Sequence, residues 1–96
     1  MHKVHIRKRA QQDLKNIWRY SFEHWGQRQA DTYYDELKKG MEMILENPKI
    51  GIACDDIRQG YRQYHINHHL VFYRLTPTNI HVVRVLGENM DMKRHI

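Results

Sequence analysis

One cysteine, two prolines and five glycines are all that this chain of 96 residues has of the residues that staple or break a backbone. With Cys54 alone no intramolecular disulfide can form, so a reducing compartment is the natural setting, and the thiol reads as buried and inert. Breakers this sparse leave no linker, internal repeat or low-complexity tract, and residues 1–96 read as one domain. No segment approaches the roughly 18 apolar residues of a membrane span, and MHKVHIRKR lacks the apolar run of a secretory signal. The expectation is a soluble, cytoplasmic protein with no membrane partner. Acidic residues are also in short supply: 11 Asp and Glu face 16 Lys and Arg, a net charge of +5 with eight histidines in reserve. That balance favours an anionic partner, nucleic acid or acidic protein.

The positive charge is unevenly placed. Residues 1–9 hold four basic and no acidic groups, residues 10–56 hold six against nine, and residues 57–96 hold six against two. The excess therefore sits in segments that read as strands, while the predicted helices are slightly acidic.

Val4 and Ile6 alternate with His5 and Arg7, the two-residue period of a half-buried strand. From Ala10 the period changes: Leu14, Ile17, Trp18, Phe22 and Trp25 form a helical stripe, with Asp13 expected in the first turn and Gly26 as the cap. Ala30, Tyr33, Tyr34, Leu37, Met41, Ile44 and Leu45 continue the three-and-four spacing until Asn47-Pro48 stops it. The short connection at Gly26 predicts an antiparallel helical hairpin laid on a sheet, with Gly40 permitting close approach. Residues 48–60 read as a loop, followed by strands over 61–65, 69–75 and 80–86 with hairpins at Asn67 and at 76–79. The fold class is α+β, ordered β-α-α-β-β-β, with a small mainly antiparallel sheet and room for a short C-terminal helix.

Both faces of HLVFYRL are apolar, so the sheet needs cover on two sides, from a partner or from a terminal segment of the chain. With Leu75 opposite Ile80, strict alternation puts Leu70, Phe72, Arg74, His81, Val83 and Val85 on one face, expected to lie under the helices. Val71, Tyr73, Leu75, Val82, Arg84 and Leu86 fall on the other, left for a ligand.

Arg58, Arg62, Arg84, Lys93 and Arg94 with Tyr61, Tyr64 and Tyr73 are residue types that bind phosphates and stack bases, although strands of cationic proteins carry them in any case. His65, His68 and His69 crowd one hairpin, but adjacent strand residues point to opposite faces and no fourth ligand has a convincing spacing. No metal or other cofactor is expected. Asp55, Asp56, Glu88 and Asp91 show no acid–base pairing and Ser21 has no nucleophile elbow, so a binding surface is read more readily than an active site. GENMDMKRHI joins a glycine break, two methionines suited to irregular surfaces, and a basic end.

RKRAQQDLKNIWRYSFEHWG, ENPKIG, CDDIRQGYRQY, HLVFYRL and VVRVLGENMDMKRHI, in this order and spacing, resemble the ParE branch of the ParE/RelE toxin superfamily of bacterial toxin–antitoxin systems over nearly the whole chain. The resemblance implies a non-enzymatic toxin that traps DNA gyrase on cleaved DNA. It also implies a ParD-like antitoxin packing a helix and an extended segment on the toxin, with operator DNA reached only through that complex. On this basis Ile17, Trp18, Arg58, Arg62, Val71, Tyr73 and Arg84 are expected to meet the antitoxin. Gly87, Glu88, Asn89, Met90, Asp91, Met92, Lys93, Arg94 and His95 are expected to meet gyrase. Family members often carry Leu-His where this chain has Leu86-Gly87, which keeps open an attenuated toxin that only binds antitoxin. A RelE-like ribosome-dependent mRNA endonuclease using Arg62 and Arg84 is the other alternative, although no tyrosine follows Tyr73.

Overall fold

A computed structural model describes residues 2–96. β1 (Lys3–Ile6) leads into α1 (Lys8–Trp25) and α2 (Gln27–Glu46), then β2 (Ile52–Ala53), β3 (Tyr61–Ile66), β4 (His69–Leu75), β5 (Asn79–Gly87) and α3 (Met92–His95). The predicted order stands, with a two-residue strand added inside the expected loop and a C-terminal helix formed. The sheet runs β1-β5-β4-β3-β2, antiparallel except that β1 lies parallel to β5.

Gly26 makes the hairpin of helices. Its φ of 88° lies where side chains are disfavoured; its N–H bonds the Phe22 carbonyl while its own carbonyl accepts from Ala30 N–H, closing one helix and opening the next. α1 begins at Lys8, before the expected Ala10, so Asp13 falls in the second turn and its role is not the helix dipole.

The buried helix positions are Ala10, Leu14 and Ser21 on α1 with Ala30, Leu37, Gly40 and Ile44 on α2. Small residues dominate this set, so the helices approach their neighbours closely and the large rings are displaced to the flanks. Trp18 is therefore only half-buried, while Phe22, Trp25 and Leu45, expected in the stripe, face solvent. Gly40 shows the constraint directly: a Cβ there would lie 2.6 Å from Cγ1 of Ile66.

The helix-covered face of the sheet is the opposite of the one expected. Val71, Tyr73, Ile80, Val82 and Val85 pack with Leu14, Leu37 and Ile44, and Tyr73 is fully buried. Leu75 does pair with Ile80, but the register shifts between Tyr73, opposite Val82, and Phe72, opposite Arg84. One extra residue on β5 at this bulge inverts the alternation beyond it. Val85 thus joins Val82 under the helices, and Leu86 turns to the far side.

That far side is covered by the chain itself. Cys54, Leu70, Phe72 and Leu86 form a second apolar cluster, closed by Ile57 and Tyr61 from one side and by Met92 and Ile96 from the C-terminal segment. Arg74, exposed, pairs across the strands with His81 near the hairpin and lies on this far side, not on the helix-covered face where both were expected.

Gly40→Ala is expected to lower stability by about 1–3 kcal/mol, because Ile66 must leave its rotamer well or the helix must shift. Chemical denaturation measures it; a variant as stable as the parent would show that the helix and β3 are not in close contact there.

Candidate functional site

The site is organised around the edge of β5. β1 ends at Ile6, opposite Val82, leaving the rest of that edge without a strand partner. Asp13 of α1 fills the gap: its Oδ2 accepts the Val85 N–H at 3.0 Å. The same carboxylate takes two hydrogen bonds from Arg84, from Nε at 2.8 Å and from Nη2 at 3.0 Å. The pair is largely buried, with side-chain exposures of 13% for Asp13 and 10% for Arg84. Arg84 Nη1 then donates to the main-chain oxygen of His95 at 2.8 Å. One guanidinium therefore joins α1, the edge of β5 and the C-terminal segment, and the hydrogen bonds to Asp13 raise its pKa further.

A second polar node fixes the 48–51 turn. Tyr73 Oη donates to the Pro48 carbonyl at 2.6 Å and accepts from Gly51 N–H at 3.0 Å, while Arg62 Nη1 donates to the carbonyls of Gly51 at 2.7 Å and Lys49 at 3.3 Å. A Cβ on Gly51 would meet the Tyr73 hydroxyl at 2.6 Å, so the turn admits only glycine at this distance.

The C-terminal segment leaves β5 at Gly87. Glu88 accepts from His65 Nε2 at 2.8 Å and His68 Nδ1 at 3.0 Å, and these bonds, His68 first, hold its carboxyl below the usual range. Asp91 caps α3 by accepting from Lys93 N–H. Met92 packs under the sheet and His95 is half-buried, whereas Asn89, Met90, Asp91, Lys93 and Arg94 face solvent. A Cβ on Gly87 would meet only Met90, at an ordinary 3.6 Å, so a side chain fits there.

An apolar cleft of about 760 Å³ opens between the two helices and the β3–β4 hairpin, lined by residues including Ile17, Tyr20, Trp25, Tyr33 and His69. Tyr20 and Trp25 are 55% and 63% exposed. Tyr33 Oη and His69 Nδ1 lie 2.5 Å apart, and the hydroxyl also accepts from His68 N–H. Burial, then the neighbouring His68, holds the His69 pKa below its ordinary value. Trp18 borders an adjoining groove and donates from Nε1 to Asp31 at 3.0 Å.

Of the residues expected to meet an antitoxin, the structure gathers only Ile17 and Trp18, both half-buried on α1. Val71 and Tyr73 lie wholly beneath the helices because the faces are exchanged, and Arg62 and Arg84 are occupied internally. Arg58 is exposed at a separate, basic groove. Sequence reasoning missed Asp13, which it assigned to the helix dipole, and the flanking rings Tyr20 and Trp25, whose excess over what one stripe can bury was the available signal. Cys54 is buried, and desolvation with Asp56 and Asp55 nearby pushes its thiol pKa up. Among the described residues no three His, Cys, Asp or Glu side chains converge as a metal-binding group, and no helix is long and apolar enough to cross a membrane.

Residues 4–92 match the model of a protein family described as the ParE toxin of the type II toxin–antitoxin system parDE. Toxin ParE1 of Mycobacterium tuberculosis is 43% identical over 88 residues, 91% of this chain and 90% of that protein. Toxin ParE1 of Caulobacter vibrioides is 38% identical over 91 residues, 95% of this chain and 94% of that one. A chain of the chromosomal ParDE TA system from P. aeruginosa superposes with a TM-score of 0.80 over 91% of this chain and 96% of its own; at 15% identity this likeness concerns the fold.

Asp13→Asn keeps the size of the side chain but removes the charge that Arg84 faces, and is expected to cost about 3–5 kcal/mol. Equilibrium unfolding showing less than about 1 kcal/mol lost, within the range of an exposed pair, would mean that this ion pair is not what joins the elements. A second expectation concerns pH. Because folding lowers the His69 pKa, the unfolded chain binds the extra proton; the stability from the neutral imidazole is complete above 6.5 and is lost as pH falls through that value. His69→Asn retains an acceptor for Tyr33 without titrating. Between about pH 7.5 and 5.5 its melting temperature should change in the acid-stabilising direction relative to the parent; parallel curves would rule out His69 as a contributor.

Proposed function

The chain belongs to the ParE toxin family of type II toxin–antitoxin systems, and on that premise we propose that it acts in the cytoplasm by binding DNA gyrase and trapping it on cleaved DNA, neutralised by a ParD-like antitoxin. The observation that carries the reading is the commitment of Arg62, Arg84 and Tyr73 to internal hydrogen bonds. An endonuclease that used these three groups would need them free to meet a phosphate in the transition state. Here those groups hold the fold, which supports action by binding and not by catalysis.

Gyrase is engaged by the segment from Gly87 to His95. It projects the exposed Met90, Lys93 and Arg94 from the C-terminal side of the sheet, while Met92 and the Arg84–His95 bond anchor it. The antitoxin covers the aromatic flank of the helical hairpin, where Ile17 and Trp18 adjoin Tyr20, Phe22 and Trp25, the largest exposed rings in the described chain. Exposed apolar surface of this kind is the ordinary mark of a protein interface. Operator DNA is reached through the antitoxin, and the function needs no cofactor.

A supercoiling and cleavage assay with purified gyrase tests the reading, run beside a ribosome-dependent mRNA cleavage assay. Lost supercoiling with accumulation of linear DNA, reversed by a ParD-like protein, is expected. Intact supercoiling with cut mRNA would replace the reading by the endonuclease one. Silence in both, persisting in Gly87→His, a substitution the open backbone accommodates, would leave a protein that only binds antitoxin.

A further inference from the structure

We propose that the basic groove between the start of α1 and the C-terminal segment binds the phosphodiester backbone of nucleic acid, through Arg7, Lys8, Arg9 and Arg58. The groove has a volume of about 390 Å³, and Tyr61, Val83, Arg84, His95 and Ile96 complete its walls. It is assembled from the two basic parts of the sequence. Arg7 N–H bonds the Val82 carbonyl where β1 ends, which sets the side chains of Arg7, Lys8 and Arg9 beside Val83 and Arg84 of β5. Arg58 reaches the same space from the loop after Cys54, whose turn is closed by Cys54 carbonyl bonds from Ile57 and Arg58 N–H.

Arg84 in the groove is neutralised by Asp13, and it is the only one of the five cations so compensated. The other four are exposed, and none takes part in an ion pair among the described residues. No acidic side chain lines the cavity. Four cations held this close repel one another, and a partner with closely spaced negative charges relieves that repulsion while releasing its counterions. Contacts made by these cations to phosphates position a strand without reading its sequence. The tyrosine and arginine set noted in the sequence is thereby narrowed: Arg58 and Tyr61 reach the groove, whereas Arg62 and Tyr73 do not.

The proposal stands independently of the gyrase reading, since it concerns direct binding by the isolated protein. Fluorescence anisotropy with labelled duplex DNA, single-stranded DNA and RNA of one sequence, titrated across salt concentrations, identifies which source supplies the phosphates. Binding is expected with a log–log salt slope of about −3 to −4 for a duplex. Arg7→Gln with Lys8→Gln and Arg9→Gln should weaken it at least tenfold, as a rough expectation, and reduce the slope by about one per charge removed. The comparison variant removes the same charge from α2, at Arg28, Lys38 and Lys39, all exposed and far along the chain. Circular dichroism melting confirms that both variants fold. Equal weakening by the two variants, or no binding of any of the three nucleic acids at about 0.1 M salt, would overturn the assignment.

Discussion

The bidentate contact between Arg84 and Asp13 is the constraint on which the arrangement of this molecule depends. A strand edge left open beyond β1 would present N–H groups with no partner, and Asp13 supplies an acceptor to Val85 from a neighbouring helix. A carboxylate so nearly buried needs a counter-charge, and Arg84 lies next to the N–H that Asp13 accepts. The bulge makes this geometry possible by putting Arg84 opposite Phe72, away from the helix-covered face, from where it also reaches the His95 carbonyl. Removing either partner strands the other charge, which is why the pair matters more for the unity of the fold than its Coulomb energy suggests.

A sheet with two apolar faces in so small a protein has been covered twice over by its own chain. The helical hairpin covers Val71, Tyr73, Ile80 and Val82; the 54–57 loop and the C-terminal residues Met92 and Ile96 cover Leu70, Phe72 and Leu86. The two covers differ in depth. One is a pair of helices of 18 and 20 residues; the other is a short loop and a four-residue helix tied by one arginine bond and two apolar side chains, with Glu88 held by two exposed histidines where the segment begins. Local stability follows buried contact, so the C-terminal segment belongs to the more easily opened part of the molecule. It is also the part that carries the exposed Met90, Lys93 and Arg94.

The surface is divided along α1. Its last turns carry Tyr20, Phe22 and Trp25 in the open, while its first turn contributes Lys8 and Arg9 to the basic groove, roughly 17 to 25 Å away at the rise of an α-helix. An apolar partner and an anionic one can therefore be held at once without sharing side chains. Gly26 sets the apolar end, because its backbone conformation turns α1 directly into α2 with no intervening loop.

Local periodicity determined much of this protein: two helices joined at Gly26, the strands at β3, β4 and β5, the Leu75–Ile80 pairing and the close approach at Gly40, while short motifs in a fixed order carried the resemblance to the family. These are properties of a residue and its near neighbours, so they are written in the chain. The choice of which face meets the helices was not. Both faces of β4 are apolar, so the pattern did not distinguish them, and a period of two has no way to announce where the unpaired residue of the β5 bulge brings Val85 to the helix-covered side. Nor did the sequence disclose that Asp13 would face Arg84, 71 residues further on, or that Tyr73 and Arg62 would be spent on the 48–51 turn. Those assignments depend on which elements come to rest beside one another, and only packing in three dimensions decides that.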